Sequence, residues 1–247
     1  MDNTIAKHAR IALQFSAGKD SLAMLHLMRK HWDKLTVYWV NTGDAFPETL
    51  EAVERVRAMV PHFVEIDGNQ PQVIAQFGIP SDIVPVSATP IGMANGGAVL
   101  MQDRYSCCMR TVMLPLAQRM VEDGITLIVR GQKECDAHKA PLHSGDVDEG
   151  IEYLFPLEDW SDEDVKTFLE EEGVELPRYY ESMRSNPPCL SCSAWWDDGR
   201  AAYMKVHHPI HYDVYQQRLN AISHAVGVHI AAFNIEVSDG GRESGSQ

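Results

Sequence analysis

The sequence predicts an α/β fold: a parallel sheet flanked by helices, with a smaller, mostly helical C-terminal region. Three observations predict it. Apolar runs alternate with amphipathic segments through the first half, the pattern of βαβ units. The apolar run IALQF (11–15) ends in SAGKDS (16–21) and passes directly into a helical pattern. The chain has 247 residues, 45% of them hydrophobic, enough to bury one large α/β core with an appendage.

Each element follows from its local pattern. IALQF reads as a buried strand, and DSLAMLHLMRKHW (20–32) as a helix with its leucines and Met28 mostly on one side. LTVYWVN (35–41) is the second strand. PETLEAVERVRAMV (47–60) is a helix with Pro47 in its first turn, where a missing N–H costs nothing. HFVEI (62–66) makes the third strand. Residues 78–106 are rich in Gly, Pro and Ser and predict loops with short turns. CMRTVMLPLAQRMVED (108–123) is helical, broken or started near Pro115, and ITLIVRG (125–131) is the strongest later strand. The polar stretch 132–150 is expected to be mobile or substrate-facing. In SDEDVKTFLEEEG (161–173), Ser161 caps a helix, Asp164 completes a capping box and Gly173 stops it. Residues 209–226 predict a further helix. The expected organisation is a nucleotide-binding domain over 1–175, a helical, cluster-binding extension over 176–237, and a frayed tail over 238–247.

Bulk properties exclude some classes. A formal net charge of −14 argues against a general nucleic-acid coat while allowing a local basic cleft. The acidic runs within 146–175 read as solvated faces. No segment reaches the roughly 18 uninterrupted apolar residues of a membrane span, and MDNTIAKHAR lacks a secretory pattern. The expected compartment is the cytoplasm, where five cysteines do not make a disulfide framework.

The strand–SAGKDS–helix junction has a direct chemical use. Small residues let backbone N–H groups approach an anion, and the helix N-terminus adds a favourable dipole. Ser16, Ala17, Gly18, Lys19, Asp20 and Ser21 form this candidate phosphate loop. Lys19 can neutralise phosphate charge, Asp20 can hold Mg²⁺, and the two serine hydroxyls can donate hydrogen bonds. The spacing is not that of a Walker A loop.

The loop resembles the SGGKDS loop of the ATP-pyrophosphatase (adenine nucleotide alpha-hydrolase) superfamily, with Ala17 in place of the first glycine. NTGDAFPET (41–49) is similar to the DTGxxFPET segment of the phosphoadenylyl-sulfate (PAPS) reductase family, with Asn41 where the family usually has Asp. RGQKECDAHKA (130–140) falls where that family has its basic substrate loop, and FPLEDWSDEDVKTFL (155–169) resembles its PLxDWTDEDVxxYL. The resemblance spans about residues 11 to 192. It implies a Rossmann-like (HUP-type) sheet, base or ribose contacts from Asn41, Thr42 and Gly43, and sulfate or phosphate contacts from Arg130, Gly131, Lys133 and Lys139.

Four cysteines form two pairs, Cys107-Cys108 and Cys189-x-x-Cys192. Four thiolates can close on a [4Fe–4S] cube or on a tetrahedral zinc, and they can also stand without a metal. A vicinal pair is unusual for structural zinc. The CC…CxxC arrangement resembles the cluster site of iron–sulfur adenylyl-sulfate reductases. Those proteins carry an Arg-Lys pair shortly after the second cysteine, where this chain has Arg110, Thr111 and Val112. Pro187 and Pro188 stiffen the approach to the CxxC, and Trp195 and Trp196 could shield a cluster. His207, His208 and His211 suggest a metal site only weakly, because Pro209 interrupts their helical spacing.

Sulfonucleotide reductases use a cysteine in an ECG[IL]H motif near the C-terminus, and no cysteine follows Cys192 here. Cys135, beside Lys133, is the alternative nucleophile. A retained Lys19-Asp20-Ser21 without that cysteine resembles the ATP-dependent sulfur-transfer enzymes, including tRNA thiolases and DNA phosphorothioation pyrophosphatases. The leading expectation is therefore an ATP-cleaving, [4Fe–4S]-dependent sulfurtransferase using Mg²⁺. A sulfonucleotide reductase and a non-catalytic nucleotide-binding subunit are the alternatives. The implied partners are an adenine nucleotide, a sulfur-donor or thioredoxin-like protein, a nucleic-acid or small-molecule acceptor, and a second copy in a homodimer; no membrane is expected.

Overall fold

The computed structural model describes residues 1–137, 139–183, 186, 188–196 and 199–240. They form two compact units: Met1–Asn69 with Arg110–Cys189, and Gln70–Met109 with Leu190–Gln247.

The first unit is built on a six-stranded sheet. Its strands are β1 (Ile11–Phe15), β2 (Leu35–Asn41), β3 (Phe63–Asp67), β6 (Leu127–Val129), β7 (Val147–Asp148) and β8 (Ile151–Leu154), in the order β3-β2-β1-β6-β8-β7. All pairings are parallel except β7 against β8. Successive side chains on a strand face opposite ways, and here both faces are covered, so the central strands read as continuous apolar runs. On one face Leu13, Val37, Leu127 and Val129 pack with α2 (Lys19–Leu27), α3 (Pro47–Met59) and α8 (Asp162–Glu171) through Met24, Val53 and Val165. On the other, Ala12, Tyr38 and Ile128 pack with Met120 of α7 (Leu114–Glu122). The short α1 (Asp2–Ile5) adds the buried Ile5 to the first face.

The second unit contains α4 (Gln70–Phe77), β4 (Ile79–Ser81), α5 (Pro90–Ala94), β5 (Met101–Asp103), α6 (Arg104–Cys108), α9 (Arg200–His207) and α10 (Pro209–Gly240). β4 and β5 pair in parallel. Met101 and Ala88 pack on Ile222 of α10.

Several sequence expectations need correction. The first long helix stops at Leu27, followed by a 3-10 turn over Arg29–His31, because the Trp32 indole N–H takes the carbonyl of Leu25 (2.8 Å) that a continuing helix would use. Residues 78–106 hold two strands and two helices, not loops alone. Residues 108–123 are divided by a π turn over Met109–Met113. In the stretch 132–150, Ser144 N donates to Glu158 (3.2 Å) and Glu134 N donates to Glu158 O (2.8 Å), contacts that its polar composition does not predict. The helix expected over 209–226 continues to Gly240, since no proline follows Pro209 to break it. The capping box of α8 is present as expected, with both Ser161–Asp164 hydrogen bonds. Pro187 and residues 241–247 of the expected tail lie outside the described residues. No described helix is long and apolar enough to cross a membrane.

Candidate functional site

The connections after β1 lead to β2 and β3 on one side, whereas β6 and β8 lie on the other. The β1/β6 boundary is therefore the topological switch point, the place where open α/β sheets bind ligands. SAGKDS leaves β1 at that edge, and residues 130–133 leave β6 beside it.

The loop is held by its own small groups. Ser21 Oγ accepts from Ser16 N (3.2 Å) and donates to Gly18 O (2.9 Å). Ala17 adopts φ +59°, the left-handed region that costs an L-residue about 1–2 kcal/mol. Gly131 lets the second loop come close: a Cβ there would stand 2.9 Å from the Asp20 carbonyl oxygen. Any larger residue would push β6 away from the first turn of α2.

Charges converge on this junction. Lys19 Nζ donates to Asp20 Oδ1 (2.9 Å) and to Asp162 Oδ1 (2.6 Å) at the start of α8. Lys133, its side chain 1% exposed, places Nζ 2.6 Å from Asp20 Oδ1, 2.9 Å from Asp136 Oδ1 and 3.3 Å from Asp162 Oδ1. Burial opposes the Lys133 charge, but the hydrogen bonds to Asp20 and Asp136 outweigh it and hold its pKa above the ordinary lysine value. The Asp162 carboxyl is held below its ordinary value, first by its hydrogen bond from Lys19. Two ammonium groups and three carboxylates thus meet at one junction, a chemistry suited to phosphate oxygens and a divalent cation.

The other expected contacts divide. Asn41 closes a turn by accepting from Gly43 N (3.0 Å), and its amide donates to Glu65 (2.8 Å). Thr42 donates to Pro188 O (3.0 Å). The three residues sit at the carboxyl end of β2, next to β1. Arg130 is exposed, with its backbone N–H on Leu154 O (3.1 Å). Lys139 is turned onto Glu134 (2.6 Å), away from the lysine pair. Cys135 is exposed, its thiol directed to Trp160 O (3.6 Å), while the neighbouring Lys133 ammonium is taken up by carboxylates.

In the second unit Asp103 caps α6 by accepting from Ser106 N (2.8 Å), which presents Cys107 and Cys108 at the helix end immediately before the π turn. Cys107 and Cys192 are buried, as is Cys189 at the end of the first unit, and no disulfide joins any of them. Burial, then the charges of Cys192 and Cys107, push the Cys108 thiol up to about 12. Such a group ionises only when a positive centre arrives, so this donor set fits a metal group bound by thiolates.

Sequence reasoning missed four residues. Asp162 was visible only as the first residue of a well-capped helix. Tyr180 and Asn186 touch the phosphate loop: Lys19 N donates to Tyr180 Oη (3.0 Å), and Asn186 Nδ2 donates to Ser16 O (2.8 Å). Arg104 lies one helical turn before Cys108, stacks on Trp195 (4.6 Å) and pairs with Asp82 (3.2 Å). Its charge favours the Cys108 thiolate. His207, His208 and His211 do not form a ligand group among the described residues; Glu134, His143 and Glu158 do, on an exposed surface.

Comparison with known proteins identifies the family and the fold. The phosphoadenosine phosphosulfate reductase domain family matches residues 10–194. An adenosine 5'-phosphosulfate reductase of Burkholderia cepacia is 26% identical over 202 residues, covering 79% of this chain and 75% of that protein. One from Allochromatium vinosum is 21% identical over 184 residues, covering 74% and 68%. Among solved structures, the phosphoadenylyl-sulfate (PAPS) reductase of Candida auris in its phosphate complex shares the fold, with a TM-score of 0.55 and 15% identity over 75% of this chain and 84% of that one. From its strand–loop–helix junction to its CxxC, the chain belongs to the phosphoadenosine phosphosulfate reductase domain family.

Proposed function

We propose that the chain is an ATP-cleaving sulfur-transfer enzyme that binds adenine nucleotide by its phosphates at Ser16–Ser21 and holds an iron–sulfur cluster on Cys107, Cys108, Cys189 and Cys192. The observation that carries the nucleotide reading is the convergence of Lys19, Asp20, Lys133 and Asp162 at the sheet's switch point. Lys19 and Lys133 neutralise phosphate oxygens. Asp20 and Asp162 are the carboxylates that would hold Mg²⁺ beside the phosphates. Both carboxylates would repel a bare triphosphate, so the site demands the cation.

In this reading the acceptor oxygen attacks the α-phosphorus of ATP, and its bond to pyrophosphate breaks. The pyrophosphate leaves, its negative charge met by the two lysines; Mg²⁺ held by the carboxylates would share that charge. A sulfur nucleophile from a donor then displaces AMP from the acceptor. A cluster held by the cysteines would supply sulfide-handling or redox chemistry. Incubation with labelled ATP, Mg²⁺ and candidate acceptors should release pyrophosphate; none, from protein with full iron content, counts against the proposal.

A second reading is supported by the named activity of the bacterial relatives and by the exposure of Cys135. In it, the chain reduces a sulfonucleotide, with Cys135 or a partner thiol attacking sulfur and a thioredoxin-like protein restoring the thiol. Sulfite release from adenylyl sulfate or PAPS distinguishes this reading, and a Cys135→Ser variant of full activity removes Cys135 from it.

A further inference from the structure

The phosphate loop is occupied by a side chain of its own unit. Tyr180, in the 3-10 turn Arg178–Glu181, sets its hydroxyl 3.0 Å from Lys19 N, the first N–H of α2. That hydroxyl stands 3.2 Å from where a Cβ on Gly18 would be, and Asn186 Nδ2 stands 3.3 Å from the same point. Asn186 also grips Ser16 O at 2.8 Å. The turn is anchored behind by Tyr179, fully buried, with its ring 5.3 Å from Phe46 and its hydroxyl donating to Asn186 Oδ1 (2.7 Å).

We propose that Tyr180, clasped together with Asn186, is a built-in occupant of the anion position, and that nucleotide phosphates bind by displacing its hydroxyl from Lys19 N. The inference rests on the nucleotide reading given above. The occupant is weak by its chemistry. Burial, and after it the charge of Asp20, raises the Tyr180 pKa, so the group remains a neutral phenol. A helix N-terminus prefers an anion to a neutral acceptor, so a phosphate oxygen wins the position. The tyrosine nevertheless lowers apparent affinity by the fraction of molecules it keeps closed. It also keeps the Lys19 N–H paired whenever no ligand is bound.

The test uses the full chain and its Tyr180→Phe and Tyr180→Ala variants. Binding of Mg²⁺-ATP, inorganic pyrophosphate and adenylyl sulfate is measured by calorimetry, beside thermal melts. In parallel, 3-fluorotyrosine protein is followed by ¹⁹F NMR, with Tyr180→Phe identifying the resonance. Loss of one hydrogen bond to the loop should tighten pyrophosphate and ATP binding about three- to tenfold in Tyr180→Phe. The Tyr180 resonance should move on saturation. Equal or weaker binding in Tyr180→Phe, or an unmoved resonance, overturns the proposal. Should Tyr180→Ala fail to fold, the Phe variant and the resonance still decide. Binding by a variant but not by the unsubstituted chain supports the proposal strongly. No binding by any form removes the nucleotide reading and this inference together, whereas uniform binding removes this inference alone.

Discussion

The phosphate loop and the cysteine region are built on opposite principles. The loop is complete within one unit. Its N–H groups, lysines and carboxylates already hold one another, at 2.6 Å for both Lys19–Asp162 and Lys133–Asp20. Around the cysteines, Cys108 is held as a neutral thiol up to about pH 12, and its neighbours Cys107 and Cys192 oppose its ionisation. The charges of the first region are balanced by one another, whereas the second keeps its Cys108 thiol neutral by burial. The difference teaches which region a substitution should disturb, and how.

The sharpest break comes at the cysteines. Cys192→Ser should lose the visible absorption and the bound iron and sulfide of anaerobically purified protein, while Mg²⁺-ATP affinity stays within about twofold, since additivity holds for independent sites. Full iron content in that variant would separate Cys192 from the cluster. Next is Lys133→Met, which leaves carboxylates facing one another around a buried position. Breaking a buried pair costs about 3–5 kcal/mol, and the one-third exposure of Asp20 and Asp136 reduces this to about 2 kcal/mol. Urea unfolding would show the loss, and ATP affinity should fall more than about tenfold with the missing charge. An unchanged midpoint would mean that the lysine contributes nothing to the unit.

A smaller effect is expected from Arg104→Gln. Removing the cation beside Cys108 should shift the cluster's reduction potential to a more negative value without reducing iron content, as measured by redox titration followed by EPR. A potential that does not move would assign Arg104 to packing on Trp195 alone. The smallest effect concerns Asp162. Its folded pKa is depressed, so its contribution is present above the unfolded value of about 3.9 and is lost as pH falls through the lower folded value. Thermal melts of Asp162→Asn should therefore decline less steeply than those of the unsubstituted chain as pH falls below about 4; parallel curves would contradict the pairing with Lys19.

Much of the first unit was legible because its signals are local. Alternating apolar strands, Pro47 in the first turn of α3 and the Ser161–Asp164 box are each decided within a few residues. The parallel sheet followed from the βαβ pattern. What was not legible comes from residues distant in sequence. Tyr180 and Asn186 reach Ser16–Lys19 across more than 160 positions, with no motif to mark them. The paired strands Ile79–Ser81 and Met101–Asp103 lie in a stretch whose glycines and prolines suggest only turns. The hydrogen bond from the Asn41 side chain to Glu65 is likewise unmarked by the NTGDAFPET motif. Arg104 precedes the cysteine pair rather than following it, so a search downstream of Cys108 passes it by.

The central claim is that Lys19 and its loop grip nucleotide phosphates with the help of a divalent cation. Calorimetric titration of ATP into the chain and into Lys19→Ala, with and without Mg²⁺, tests it most directly. Binding that requires Mg²⁺ and weakens more than about tenfold in Lys19→Ala, in protein that still melts cooperatively, is the predicted result. Equal affinity in both proteins, or tighter binding without the cation, would contradict it.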